Sequence, residues 1–290
     1  MKTWLSVPYP FNLDITLYCG QTFRWDKQGE WWYGVVEQKA FKTRQVSDRL
    51  EFENIDADFV KDYFGLNDNL SKIYLEISKD EHIKRGIDAF YGLRILRQNP
   101  WECLISYICA TYKNIKAIRQ TILNLAKKFG NKIRFDRYEF YTFPTAEKLA
   151  KAKVEELVNC GLGYRAKYVS ETAKIVCECG FKFESLRSLA YEKAREELLN
   201  FPGVGLKVAD CVLLFSLEKF EAFPVDVWIK RAILRHYVKH FSDSFIQKIS
   251  NKQSLSSSEY EKMNLFGRRY FGKYAGYAQE YLYHYERTQS

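Results

Sequence analysis

The period of the hydrophobic and polar positions changes once along this chain, near Asp68, and the change separates two kinds of structure. Before it, aromatic and β-branched residues gather in short runs. Trp31-Trp32-Tyr33-Gly34-Val35-Val36 follows a turn signal at Asp26-Lys27-Gln28-Gly29 and predicts a strand. Leu50 and Phe52 alternate with Glu51 and Glu53 after the polar turn Ser47-Asp48-Arg49, the pattern of a half-buried antiparallel strand. From about Asp68 onward, Leu70, Ile73 and Ile77 recur at helical spacing, and that signal persists almost to the C-terminus.

The helices are well punctuated. Asn114 is placed to cap a helix whose apolar face is Ile115, Ile118, Ile122, Leu125 and Phe129, with Gly130 closing it. Lys116, Arg119 and Lys127 lie off that face and are expected in water. Ala166, Val169, Ala173 and Val176 form a second such face. Tyr270, Tyr274, Tyr277 and Tyr281 fall on one helical stripe, for which core packing is the expectation rather than a stacking platform. No solenoid-length repeat or low-complexity linker interrupts the chain. The pattern predicts an α+β protein, with an N-terminal antiparallel β-sheet domain at 1–92 packed on a mainly helical body at 93–290.

Composition narrows the partners. A chain of 290 residues with 47% hydrophobic and 28% charged positions can bury a core in the ordinary way. Its formal net charge of +9 favours a polyanionic partner, nucleic acid before membrane. The apolar run at the start is too short for a signal peptide and is broken by Pro8, and Cys103–Tyr112 is too short to cross a bilayer. Seven cysteines without disulfide-type spacing read as reduced thiols of a cytosolic protein. Cys177 and Cys179 form an isolated pair, for which a structural role is expected rather than zinc binding.

One segment carries candidate chemistry. A helical run from about Ser188 meets Pro202-Gly203-Val204-Gly205, and a second run extends from Leu206 to Leu217, giving a helical hairpin at about 188–217. Glycines at 203 and 205 let the backbone approach another molecule, and the N–H groups opening the second helix make an anion site suited to a DNA phosphate. An ordinary helical hairpin is the favoured reading of this segment alone, by about two to one over phosphate binding. Further on, Phe223-Pro224-Val225-Asp226-Val227-Trp228 places Asp226 as an N-cap for a helix over Val227–Tyr237.

Taken together, P-G-V-G, K-V-A-D-C from Lys207, and P-V-D-V with Asp226 nineteen residues after Lys207 resemble the helix-hairpin-helix glycosylase superfamily. Within it, the chain is similar to the 8-oxoguanine DNA glycosylase/lyase group. The likeness extends over Gly20-Gln21-Thr22-Phe23-Arg24-Trp25, Asn99–Cys109, Gly161–Tyr168 and Tyr274–Gln279.

The resemblance implies a bifunctional enzyme acting on double-stranded DNA that contains 8-oxoguanine. The lesion would be flipped out of the helix. Lys207 would attack C1′ and form a Schiff base, and β-elimination would follow on the 3′ side. A free lysine has a pKa of about 10.4. Burial and the positive end of its helix are expected to lower that of Lys207. Asp226 is expected to stay ionised as an N-cap and to stabilise charge developing on the sugar.

In the implied base pocket, the Gly20 carbonyl accepts the N7 proton that guanine lacks. Gln279 reads the polar edge of the base, and Cys211 and Tyr283 contact its two faces. DNA contacts fall to Tyr112, Asn114, Tyr164, Arg165, Gly203, Gly205, Val208 and Trp228. The carbonyls of Leu199, Phe201 and Val204 are implied to hold a structural cation, and no redox or nucleotide cofactor is required. The last cysteine is Cys211, so the four-cysteine iron–sulfur cluster that many adenine and thymine-glycol glycosylases carry after the hairpin is not expected. The expected state is a monomer in the cytoplasm, on the nucleoid in a prokaryote.

Three positions depart from the family pattern. Tyr112, in Ala110-Thr111-Tyr112-Lys113-Asn114, stands where an Asn-rich turn normally fills the gap left by the extruded base. Ala117 replaces an arginine that reads the opposite cytosine in animal members, leaving Arg165 as the remaining reader. Loss of one bidentate reader forfeits about 1–3 kcal/mol of discrimination, so a weak preference for cytosine is expected. Trp228 replaces a histidine that meets phosphate. Of the competing readings, an alkylbase glycosylase suits Asp226 but does not need Lys207, and a non-catalytic hairpin module would bind phosphates alone.

Overall fold

Large aromatic side chains need a surface to lie on, and in the N-terminal sheet a glycine supplies it. The computed structural model describes residues 3–289. Its five-stranded antiparallel sheet runs β1 (Thr3–Ser6), β2 (Trp25–Gln28), β3 (Trp31–Val36), β4 (Lys39–Val46) and β5 (Arg49–Glu53), in the spatial order β1-β5-β4-β3-β2. Trp25 pairs with Gly34 across β2 and β3, and a Cβ at Gly34 would lie 2.5 Å from the Trp25 ring. The indole is fully buried against Phe41 and donates its N–H to Tyr63 Oη at 3.0 Å.

Two expectations fail here for visible reasons. The segment Asp26–Gln28, read as a turn, is an exposed edge strand, because Trp25 anchors it to β3 and the turn falls one step later at Gly29, φ +62°. The helical signal after Asp68 is also interrupted by a second sheet, the hairpin of β6 (Lys132–Phe135) and β7 (Tyr138–Tyr141). Tyr33 from the large sheet packs on Tyr138 and Phe140 of that hairpin, with centroids 5.0 and 6.1 Å away. The strands thus gain a tertiary surface that a local period does not reveal.

The helical body forms a separate apolar cluster around helix Pro100–Ala110, which is buried from Cys103 to Ala110. Asn114 caps helix Ile115–Phe129 as expected, accepting the Ala117 N–H at 2.9 Å. Arg119 of that helix does not simply face water, since it donates to Asp26 at 2.5 Å and to the Trp25 carbonyl at 2.8 Å. The helix is thereby tied to the sheet edge. The tyrosine stripe is core, but not of one helix. Helix Ser257–Phe271 stops at Gly272, φ +74°, and helix Ala275–Thr288 starts anew, burying Tyr277 and Tyr281 completely.

Two buried polar constructions hold the elements that matter later. Gln21 donates to the carbonyls of Thr16 and Arg94 at 3.0 and 2.8 Å and accepts the Leu96 N–H at 2.8 Å, which fixes the loop carrying Gly20. Asp210, fully buried in helix Leu206–Ser216, accepts from Tyr191 Oη and Tyr260 Oη at 2.5 Å each and from Asn264 Nδ2 at 2.9 Å, and pairs with Arg195 at 3.2 Å. Burial opposes these partners and lifts its carboxyl to about 6.

Removing a partner from such a network leaves other buried groups unmatched. We expect Asp210→Ala to lose about 3–5 kcal/mol of folding stability in urea titrations; a loss indistinguishable from that of an exposed carboxylate would contradict the network's role. Glu280 provides a pH test. It is buried in helix Ala275–Thr288 with Oε1 lacking a hydrogen-bond partner among the described residues, and burial raises its carboxyl from 4.5 to about 7. The folded state then holds this proton to higher pH than the unfolded chain, so ionisation erodes stability as pH rises from 4.5 to about 7. The neutral Glu280→Gln protein escapes that cost. Its melting temperature relative to the parent should climb across this interval and level off above it, whereas parallel melting curves would refute the assignment.

Candidate active site

The hairpin behaves as its glycines require. Helix Tyr191–Leu199 and helix Leu206–Ser216 are joined through Gly203, φ +78°, where a Cβ would lie 2.8 Å from the Tyr168 ring. Gly205 differs: no atom lies within 4 Å of its missing Cβ, so its backbone is open to a molecule arriving from outside. Gly205 is also the N-cap, so the free N–H groups of the following turn face the same approach. Val208 offers only its N–H there, because its side chain is buried in the core.

Lys207 is the second residue of this helix, at the hairpin's mouth. The expected burial of its amine is not found, for the side chain is exposed in the free protein. Burial falls instead on its neighbours. Cys211, one turn along, is buried, and its thiol is pushed up by burial against the pull of Lys207. Asp226 is half-buried and caps helix Val227–His236, its Oδ1 accepting the N–H groups of Trp228 and Ile229 at 2.9 Å each. Oδ2 accepts no hydrogen bond among the described residues. Burial raises the Asp226 carboxyl, while the charge of Lys207, the two N–H groups and Arg287 act in the opposite sense.

The C-terminal helix adds a further set of polar groups. Gln279, Tyr283 and Arg287 recur at four-residue spacing and therefore share a face. The buried Gln279 Oε1 has no partner among the described residues, an acceptor that awaits a donor. Arg287 donates to Tyr283 Oη at 3.2 Å, and its charge is felt by Asp226, Glu280 and Tyr283. Gly20 meets this face from the other side with φ +110°. A Cβ there would lie 2.8 Å from Arg287 Nη1, 3.2 Å from Ile115 Cδ1 and 3.3 Å from Tyr283 Oη. The structure thus brings Lys207, Asp226, Cys211, Gln279, Tyr283 and Gly20 into one neighbourhood. Arg287 and Glu280 were missed by the sequence reading. The four-residue ladder from Gln279 was the available signal for Arg287, and Glu280 left none, since a lone glutamate in a helix reads as a solvated one.

A second cluster faces outward. Tyr112 is 83% exposed with φ +55°, a left-handed backbone that an aromatic residue rarely adopts, and Tyr164 is 58% exposed. Between them lies Arg165, which does not extend freely to the surface. It is buried, donates to the carbonyls of Thr111 and, at 3.4 Å, Leu162, and has Tyr164 stacked 4.3 Å over its guanidinium. A cavity of about 360 Å³ lies here, bounded by Thr111, Tyr164, Arg165 and the Gly203–Gly205 turn. Asn114 spends its oxygen on capping and remains exposed. Trp228 is half-buried under Arg231, 4.5 Å from its ring centre. Of the three hairpin carbonyls, that of Phe201 accepts the Val204 N–H at 3.1 Å, while those of Leu199 and Val204 accept no hydrogen bond among the described residues.

Family models match along the chain in sequence. Residues 5–104 match the N-terminal domain of 8-oxoguanine DNA glycosylase, and residues 105–251 match the HhH-GPD superfamily of base excision DNA repair proteins. A probable N-glycosylase/DNA lyase of Methanothermobacter thermautotrophicus is 32% identical over 77% of this chain and 72% of its own length. The N-glycosylase/DNA lyase of Saccharomyces cerevisiae is 35% identical over 66% of this chain, and the match spans 56% of that protein. The apo structure of the Clostridium acetobutylicum 8-oxoguanine glycosylase/lyase superposes with a TM-score of 0.87 at 33% identity, covering 98% of this chain and 96% of that one. The same enzyme bound to DNA with cytosine opposite 8-oxoguanine gives 0.85 over 96% and 92% of the two chains. With its two halves matched in order and the candidate residues gathered at one cleft, the chain belongs to the 8-oxoguanine DNA glycosylase family of the HhH-GPD superfamily.

Proposed function

We propose that this protein excises 8-oxoguanine from duplex DNA and then cleaves the strand at the resulting abasic site. The observation that carries the reading is the convergence of an exposed lysine and a half-buried carboxylate beside the buried Cys211, the Gly20 loop and the unpartnered Gln279 Oε1. A base must leave the stack before its sugar can be attacked. The open backbone at Gly205 and the N–H groups behind it suit a phosphate beside the flipped nucleotide.

In the chemical step the Lys207 amine, having given up a proton, bonds to C1′ while the C1′–N9 bond breaks and its electron pair leaves with the base. Asp226 Oδ2 faces the positive charge that builds on the sugar. The raised Asp226 carboxyl also suits it to accept and return a proton. Ring opening yields a Schiff base, and loss of a C2′ proton expels the 3′ phosphate. Lys207 is exposed before DNA arrives, so the DNA itself covers the amine and removes it from water. The cysteine side of the cleft and Tyr283 provide apolar surface for the two faces of the base.

Tyr112 and Tyr164 are placed to enter the duplex where the base has left. Arg165 holds one donor on the Thr111 carbonyl and another on that of Leu162 while its Nε has no partner among the described residues, which restrains its reading of the opposite base, and Ala117 offers no side-chain donor. The free carbonyls of Leu199 and Val204, with that of Phe201, suit a monovalent cation that would stiffen the hairpin.

Borohydride trapping tests the central reading. The parent should form a covalent complex with 8-oxoguanine duplex, and Lys207→Gln should lose it while retaining DNA binding; trapping that survives the substitution would place the nucleophile elsewhere. Against duplexes carrying each of the four bases opposite the lesion, excision rates should fall within about one order of magnitude of each other. A cytosine preference of several hundredfold would overturn the role given to Arg165 and Ala117.

A further inference from the structure

Arg287 is the cation that the cleft contains and the reaction above does not use. Its Nη1 lies where a side chain at Gly20 would be, 2.8 Å from the missing Cβ, and donates to Tyr283 Oη at 3.2 Å. Its Nη2 reaches the Tyr18 carbonyl at 3.4 Å and His284 Nδ1 at 3.0 Å. The guanidinium lies 5.1 Å from the Tyr283 ring centre. It is thus held between the loop and the aromatic that line the base pocket, half-buried rather than in bulk water. Its charge also reaches Asp226, on the far side of the cleft.

The chemistry of the lesion gives this position meaning. Oxidation of guanine at C8 creates two adjacent new groups, a donor at N7 and an acceptor at O8. A backbone carbonyl at Gly20 can take only the donor. Resting on the lesion-binding reading above, the geometry assigns Arg287 as the donor to O8 of the flipped base. One oxidised edge is then read in both its parts, by a carbonyl and by a guanidinium held beside it. Guanine meets the same guanidinium with a C8–H, which offers it no acceptor, so the contact discriminates as well as binds. The contact strengthens during the reaction. When C1′–N9 breaks and Lys207 takes the bond to C1′, the electron pair left on N9 spreads over the five-membered ring onto O8. Arg287 faces that charge without surrendering a proton, and the departing anion is neutralised by taking up the proton that Lys207 released.

The test separates steps that involve the base from steps that do not. Single-turnover excision of 8-oxoguanine is compared with borohydride trapping on a duplex that already carries an abasic site, for the parent, Arg287→Met and Arg287→Lys. The ratio of the excision rate to the abasic trapping rate should drop at least about tenfold in Arg287→Met, the loss of one good hydrogen bond to a charged donor. Arg287→Lys, which keeps a charge and a donor, should recover part of it. A ratio unchanged in Arg287→Met would overturn the assignment, whether the two rates stay constant or fall together because the arginine only braces the helix to Tyr18. A parent that traps abasic DNA but leaves 8-oxoguanine untouched would refute the lesion reading itself, and the role of Arg287 with it.

Discussion

The buried carboxylate of Asp210 is the constraint on which the rest of the site depends. Its partners come from helix Tyr191–Leu199 through Tyr191 and Arg195, and from helix Ser257–Phe271 through Tyr260 and Asn264. The same two residues of the latter helix reach further: Tyr260 Oη accepts the Val225 N–H at 3.2 Å and Asn264 donates to the Phe223 carbonyl at 3.0 Å. One network therefore fixes the helix that carries Lys207 and Cys211 and also the segment that delivers Asp226. A buried charge is costly unless its lone pairs are filled. Here the filling draws together the pieces whose relative placement decides the chemistry.

The site combines that rigid base with an unbalanced electrostatic environment. Acidic groups at Asp226 and Glu280 are raised by burial, while the cations Lys207, exposed, and Arg287, half-buried, stand close enough to act on them in the opposite sense. Such an arrangement favours an anionic polymer, and it leaves the carboxylates near the point where proton transfer is useful. The Gly20 loop is held as firmly as the hairpin. Gln98 and Tyr107 both donate to the Gln21 carbonyl, at 2.8 and 3.2 Å, so the residue next to the pocket glycine has no freedom to drift.

At the outer cluster the cost of order is carried differently. The bond from Arg165 to the Thr111 carbonyl ties the segment bearing Tyr164 to the one bearing Tyr112, so that two exposed aromatics act from one frame. Tyr112 keeps its left-handed backbone at the end of a buried helix, where the chain must turn within a few residues to reach the cap at Asn114. A donor committed to holding the frame is not available to a base, which connects the geometry of this loop to the tolerance proposed for the opposite strand.

Much of this was legible in the sequence because it is local. Helix Ile115–Phe129 and its Asn114 cap, the P-G-V-G hairpin, and Asp226 capping the next helix follow from spacing, capping chemistry and glycine. Each is settled within a few residues, and the motif set pointed to the family from the same short segments. Other features depend on distant surfaces. The edge strand at Asp26–Gln28 exists because Trp25 packs on Gly34, and the β6–β7 hairpin because it meets Tyr33. The exposure of Lys207, the confinement of Arg165, and the place of Arg287 against Gly20 were likewise decided by packing. Sequence alone determined which residues could do the chemistry, since side-chain type and helical register are local properties; only the tertiary structure decided which of them meet, because desolvation and charge depend on neighbours that lie far along the chain.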